Sequence, residues 1–266
     1  MKVSKNFSLQ EFVSALIFER YGEKALWFID DRMIQTCQKL RDSLGIPLKA
    51  NNWHCGGDRD DSGLRVEGMK NYSPTNQHAF GRAINISSKD MSIKEMKQHI
   101  FDNKHNYPHI TEIKCNNSWL HIDFRNTKSN DFAKNFSLQE FLSTETWDKY
   151  GHRALGFMDD RIIESAQALR DNLDVPLTIN NWAYGGDRYM SGLRTQEMSI
   201  YRPFSQHSFG RAVDIISPEI TAEKMRKHIL QNQDLYPHIT TLEGNVTWLH
   251  MDCRNRTEEG IQVFLP

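Results

Sequence analysis

The sequence predicts an α+β protein of two tandem domains, each a small, mostly antiparallel sheet packed with helices. Three observations carry this. First, the chain repeats itself: "KNFSLQEF" begins at Lys5 and again at Lys134, an offset of 129 residues. The same offset links "NNW" at 51 and 180, "GGDR" at 56 and 185, "SGLR" at 62 and 191, "FGRA" at 80 and 209, and "WLH" at 119 and 248. No gap is needed, and a period this long fits a domain duplication rather than a solenoid unit. Second, each copy holds stretches of helical periodicity, and third, each closes on β-rich runs. The domains are expected over 1–126 and 134–266, joined by a polar linker at 127–133.

Within each copy the elements follow in order. Ser8-x-x-Glu11 and Ser137-x-x-Glu140 have capping-box spacing and open short helices. A longer amphipathic helix comes next, with Ile29, Met33, Ile34, Cys37, Leu40 and Leu44 on one face, matched by Met158, Ile162, Ile163, Ala166, Leu169 and Leu173. Gly45 is placed to stop the first of these. "IPLKANNW" and "VPLTINNW" read as a strand entering a loop, followed by Gly-rich segments. A further helix is expected over about 92–103 and 221–232. Two β-rich runs end each copy, "HITEIK" and "WLHIDFR" in the first.

Bulk properties exclude more than they assign. Lys and Arg total 33 against 34 for Asp and Glu, a formal charge of -1, and no basic run offers a nucleic-acid surface. No apolar run is long enough for membrane insertion, and "MKVSKNFSLQEF" lacks the apolar core of a signal peptide, so synthesis in a cytoplasm is expected. Cys37, Cys55, Cys115 and Cys253 show no CxxC spacing and no cysteine counterpart in the other copy, which points to free thiols rather than a disulfide framework.

The duplication filters the eleven histidines to four pairs: His78 with His207, His99 with His228, His109 with His238, and His121 with His250. His99 and His228 fall on a Lys-rich helix and read as surface residues, and His109 and His238 as structural ones. In "TWLHMDCR" strand alternation puts Trp248, His250 and Asp252 on one face. With His207 and Asp214 of "SQHSFGRAVDI", His250 completes a His2Asp donor set, which leaves the fourth tetrahedral position of a zinc ion open for water. The first copy reads "NQHAFGRAINI", so its set is His78, Asn85 and His121, without a protein anion, and is expected to bind metal more weakly. Trp53 and Trp182 offer either substrate platforms or loop packing.

"SQHSFGRAVD" resembles the S-x-H-x-x-G-x-A-x-D motif of the zinc D-alanyl-D-alanine carboxypeptidases and related phage endolysins, which cut peptidoglycan stem peptides. "SGLR" upstream and "WLHMD" downstream are similar to that family's arginine motif and last metal-histidine strand, in the family order. The resemblance implies the α+β fold shared with the hedgehog signalling domain. It also implies one zinc on His207, Asp214 and His250 of the second domain, Ser205 supporting the site, and Arg194 holding a substrate carboxylate or polarising the scissile carbonyl. The family places an acid three residues before the last histidine, where this chain has Thr247, and Ser118 in the first copy. Glu243 and Asp252 are the candidate bases. The first copy keeps Asp123 opposite Asp252 but has Lys114 opposite Glu243 and Asn85 opposite Asp214, so base and ligand change together, which favours Glu243 and gives Asp252 an orienting role. Arg65 survives in the first copy, which is expected to bind a peptide without cutting it or to serve as a structural duplicate.

Two functions follow as expectations. One is a zinc peptidase of a phage, acting on peptidoglycan peptides after release or from the particle. The other is a non-catalytic phage structural or wall-binding protein on the same fold, in contact with other particle proteins.

Overall fold

The computed structural model of the protein describes residues 1–127 and 133–265. Apart from its two end residues, the linker expected at 127–133 lies outside the described residues. The chain divides into two compact units, Met1–Arg125 and Asn126–Pro266. Both are α+β, and the elements of the first recur in the second.

The first unit runs α1 (Ala15–Tyr21), α2 (Asp31–Leu44), β1 (Ala83–Ile86), α3 (Ile93–Asp102), β2 (Glu112–Cys115) and β3 (Leu120–Asp123). Its three strands are antiparallel in the order β1-β3-β2. The second unit runs α4 (Thr144–Tyr150), α5 (Asp160–Leu173), β4 (Ala212–Ile215), α6 (Ala222–Gln231), β5 (Thr241–Glu243), β6 (Leu249–Asp252) and β7 (Gln262–Phe264). Its order is β4-β6-β5-β7, antiparallel except that β7 adds in parallel to β5. Strands β4 and β6 are buried along their whole length.

The long helix of each unit shows how local chemistry sets its ends. Asp159, fully buried, accepts from the Arg161 amide at 3.1 Å and caps α5, as Asp30 caps α2. Ile162, Ile163, Ala166 and Leu169 bury one face at i, i+1, i+4 and i+7, each large side chain contributing about 1.5–3 kcal/mol. Gly45 at φ 67 ends α2, and Asp174 at φ 51 takes the same left-handed cap in α5. Ile29 and Met158, expected on these helices, lie before the capping aspartates; both are fully buried in extended backbone instead.

The expected "IPLKA" and "VPLTI" strands shrink to single bridges, Lys49 with Ser87 and Thr178 with Ile216. The asparagines that follow explain why the ladder stops. Asn180 turns its backbone amide to Glu140 O and its side chain to Leu142 O and the Ser191 amide, so it ties three segments together instead of pairing along a strand. The capping boxes form at Ser8 with Glu11 and Ser137 with Glu140, opening 3-10 turns rather than α-helices.

A short chain of contacts carries α5 to the sheet. The Asp159 amide donates to Gly210 O at 2.9 Å, and its carboxylate lies 3.5 Å from Nε of the fully buried Arg211. Gly210 closes the 3-10 turn Gln206–Phe209 at φ 65, and a Cβ there would stand 2.1 Å from Phe157 O. Gly210→Ala therefore combines a left-handed backbone with a backbone clash and is expected to cost at least about 2 kcal/mol. Gly185, at φ 85 with nothing within 4 Å, provides the control. Urea unfolding should show Gly210→Ala lowering stability more than Gly185→Ala; equal losses would contradict this packing account.

Candidate metal centre

Each residue of the centre is held by a different piece of the repeat. Asp214 on β4 and His250 on β6 face each other as a cross-strand pair. Strand alternation then puts Asp252, opposite Ala212, on the same face as His250. His207 comes from the 3-10 turn that Gly210 closes. The "SGLR" segment fastens turn to strand through its backbone. Ser191 O accepts from the Asp214 amide at 2.8 Å, Gly192 O accepts from His207 Nδ1 at 2.8 Å, and the Arg194 amide donates to His207 O at 3.2 Å. Gly192 cannot carry a side chain there, because a Cβ would meet Phe141 O at 2.1 Å.

The three donor atoms form a small triangle. His207 Nε2 is 3.2 Å from His250 Nδ1 and 3.3 Å from Asp214 Oδ1, and His250 Nδ1 is 2.8 Å from Asp214 Oδ1. Tetrahedral ligands at zinc distances stand about 3.3 Å apart, so the donors match the edges of such a site. All three residues are buried and form a group able to hold a metal ion.

Hydrogen bonds on the far side of each ring choose the ligating nitrogen. A carbonyl only accepts, so His207 Nδ1 carries its proton toward Gly192 O and Nε2 keeps its lone pair for a metal. His250 turns Nε2 toward Asp252 Oδ2 at 3.3 Å, which leaves Nδ1 as its ligand atom. Asp252 is fully buried and spent: besides His250 it holds the backbone amide and guanidinium of Arg254. Arg194 donates to Asp214 Oδ2 at 2.7 Å and to Met190 O at 3.0 Å, so Asp214 turns its other oxygen to the histidines. Among the described residues nothing accepts from Arg194 Nη1.

Protonation follows from these contacts. Burial holds the His207 imidazole below its ordinary range, only partly offset by Asp214. Burial would do the same to His250, but hydrogen bonds to Asp214 and Asp252 outweigh it and raise this ring to about 9. Burial would raise Asp214, yet His207 and His250 together hold its carboxylate well below the usual range. Asp252 is likewise brought to about 2 against burial, by its bonds to His250 and Arg254.

The remaining sequence candidates fall around this core. Glu243 ends β5, two residues on from Thr241, which pairs with Asp252, so alternation places it on the His250 face. Its carboxylate makes no hydrogen bond or ion pair among the described residues, and its charge acts on Arg194. Ser205 opens the His207 turn and its carbonyl accepts from the Ser208 amide, while its hydroxyl makes no bond to the donor set among the described residues. Trp182 is anchored through its indole N–H to Leu142 O at 2.8 Å, as Trp53 is to Val13 O. His228 bonds to Tyr236 and His238 lies 3.4 Å from Glu164, outside the centre. The four cysteines are free.

Two features escape sequence reasoning. Buried Arg226 donates to the carbonyls of Glu243, Val246 and Trp248 and so fixes the connection between Glu243 and His250. Its counterpart in the repeat is Lys97, so the duplication gave no signal. Strand β7 pairs Phe264 with Glu243, and the Phe264 ring lies 5.9 Å from that of His250.

The first unit keeps the frame and loses the acid. His78 Nδ1 donates to Gly63 O at 2.7 Å, and the His78 and His121 rings are 5.1 Å apart against 5.0 Å in the second unit. Asn85 Oδ1 takes the place of the carboxylate, 2.9 Å from His121 Nδ1. Burial, with Arg65 and His121 nearby, pushes His78 down to about 3.

No family model, curated protein or solved structure matches the chain. No helix among the described residues is long and apolar enough to cross a membrane.

The protonation pattern fixes how metal uptake depends on pH. His207 is already neutral and Asp214 already ionised at pH 7, whereas His250 carries a proton that a metal on Nδ1 displaces. Metal affinity should rise about tenfold per pH unit up to about 9 and level off above it. Calorimetric titration in buffers of different ionisation enthalpy should report about one proton released per metal at pH 7; release of none, or of two, would contradict the assignment.

Proposed function

We propose that the second unit is a zinc-dependent peptidase that cleaves peptidoglycan stem peptides. The observation that carries the metal is the triangle of His207 Nε2, Asp214 Oδ1 and His250 Nδ1, with sides of 2.8–3.3 Å and outer bonds that aim each donor inward. Two imidazoles and one carboxylate suit zinc, and three protein ligands are the number a catalytic ion takes. A zinc ion held by these three residues would supply a Lewis acid and lower the pKa of a bound water to about 7.

The chain's own groups divide the remaining work. Glu243, on the His250 face and with no ion-pair partner among the described residues, accepts the proton of the attacking water and returns it to the leaving amine. Arg194 spends two donors on Met190 O and Asp214 and keeps Nη1 for the developing oxyanion or a terminal carboxylate. Asp252 holds the His250 ring and takes no proton from substrate, since its oxygens are engaged by His250 and Arg254. The peptidoglycan substrate rests on the resemblance of the "SQHSFGRAVD", "SGLR" and "WLHMD" blocks to zinc carboxypeptidases and endolysins.

A second reading, a non-catalytic phage structural or wall-binding protein, is favoured by Thr247 standing where that family carries its acid. A peptidoglycan digestion assay separates the two. Wild type should release stem-peptide fragments and His207→Ala should release none. Glu243→Gln should retain zinc yet turn over about a hundred- to ten-thousand-fold more slowly. Absence of digestion by the zinc-loaded wild type would overturn the enzyme, and unchanged turnover in Glu243→Gln would remove that residue as the base.

A further inference from the structure

The second unit has a strand that the first lacks among the described residues. β7 adds in parallel to β5, with the Gln262 amide donating to Thr240 O at 3.0 Å and the Gly244 amide to Phe264 O at 2.8 Å. One repeat earlier the chain is committed elsewhere: Asn135 stands at the position of Phe264, and its amide donates to Gln167 Oε1 at 2.9 Å inside the second unit. The duplication therefore does not account for β7, and what the strand touches has to.

β7 brings one ring to the metal centre. Gln262 and Val263 are exposed, whereas Phe264, paired with Glu243, is half-buried. Its ring meets that of His250 nearly edge-on, at 83° and 5.9 Å between centres, and the Arg254 guanidinium lies 5.4 Å from its centre. These two residues are the partners of Asp252, which accepts from the Arg254 guanidinium and faces His250 Nε2. The first unit has the same three residues, His121, Asp123 and Arg125, without the ring. There the arginine side chain is 36% exposed against 14% for Arg254, and the histidine Nε2 stands 3.6 Å from its aspartate against 3.3 Å. Arg125 also divides itself between Asp123 and Glu112, a position that the second unit fills with Thr241.

We propose that Phe264 is a positioning residue for the metal centre. It keeps water from the bonds that Asp252 makes to Arg254 and His250, and so holds the His250 ring with Nδ1 toward His207 and Asp214. Charged hydrogen bonds strengthen where water is excluded, and a ring whose outer nitrogen is firmly held presents the inner one in a fixed direction. Metal affinity then depends on a side chain that ligates nothing and comes from outside the repeat. The inference rests on the reading of His207, Asp214 and His250 as a metal site.

Two measurements on the full chain test it. In the metal-free protein, NMR should show the Arg254 Nε–H exchanging with solvent about tenfold faster in Phe264→Ala than in wild type. In zinc titration against a competing chelator, Phe264→Ala should bind about ten- to a hundredfold more weakly. Phe264→Leu, which restores an apolar cover, should recover most of both losses. Val263→Ala, on the opposite face of β7, controls for the strand itself and should change neither. Unchanged exchange or unchanged zinc affinity in Phe264→Ala, no recovery in Phe264→Leu, or equal losses in Val263→Ala would each overturn the role. Failure of the wild type to bind zinc would instead overturn the metal site, and this role with it.

Discussion

The second unit is organised around one buried carboxylate. Asp214 sits on β4, opposite His250, and its two oxygens face three partners: His250 and His207 on one side and Arg194 on the other. A charge in that position would be prohibitively expensive alone. It is tolerated because the strand ladder, the 3-10 turn and the "SGLR" segment bring donors to it from separate parts of the chain. The same interactions keep it ionised and bring His207 Nε2 and His250 Nδ1 together beside it.

The first unit shows what that carboxylate does by lacking it. Backbone register, the Gly63 carbonyl on His78 and the Asp123 partner of His121 all persist. What disappears is the anion. The fold therefore does not require the acid, since an amide of the same shape sustains the same ladder. One atom in the side chain separates the His2Asp donor set of the second unit from the His2Asn set of the first.

Much of this was legible in the sequence because the chain carries its own comparison. Repetition at a fixed offset reduced eleven histidines to four pairs that include His207 and His250, strand alternation put His250 and Asp252 on one face, and the Asp-to-Asn exchange marked the unit without the carboxylate. What stayed hidden depends on backbone groups and on unrepeated segments. The Gly192 carbonyl that selects the His207 tautomer has no side-chain signature. Among the described residues, strand β7 and the Arg226 clamp occur in one unit only. The "VPLTI" stretch reduces to one bridge because, although Val and Ile favour extended backbone, the asparagine after them diverts the hydrogen bonds to three other segments.

The central claim is that Asp214 makes the second unit, and not the first, the metal site. Metal analysis of the purified protein against Asp214→Asn tests it most directly. The account predicts about one zinc per chain in wild type and almost none in Asp214→Asn, with the fold retained as it is around Asn85. Two zinc ions per chain, none in wild type, or full retention by Asp214→Asn would contradict it.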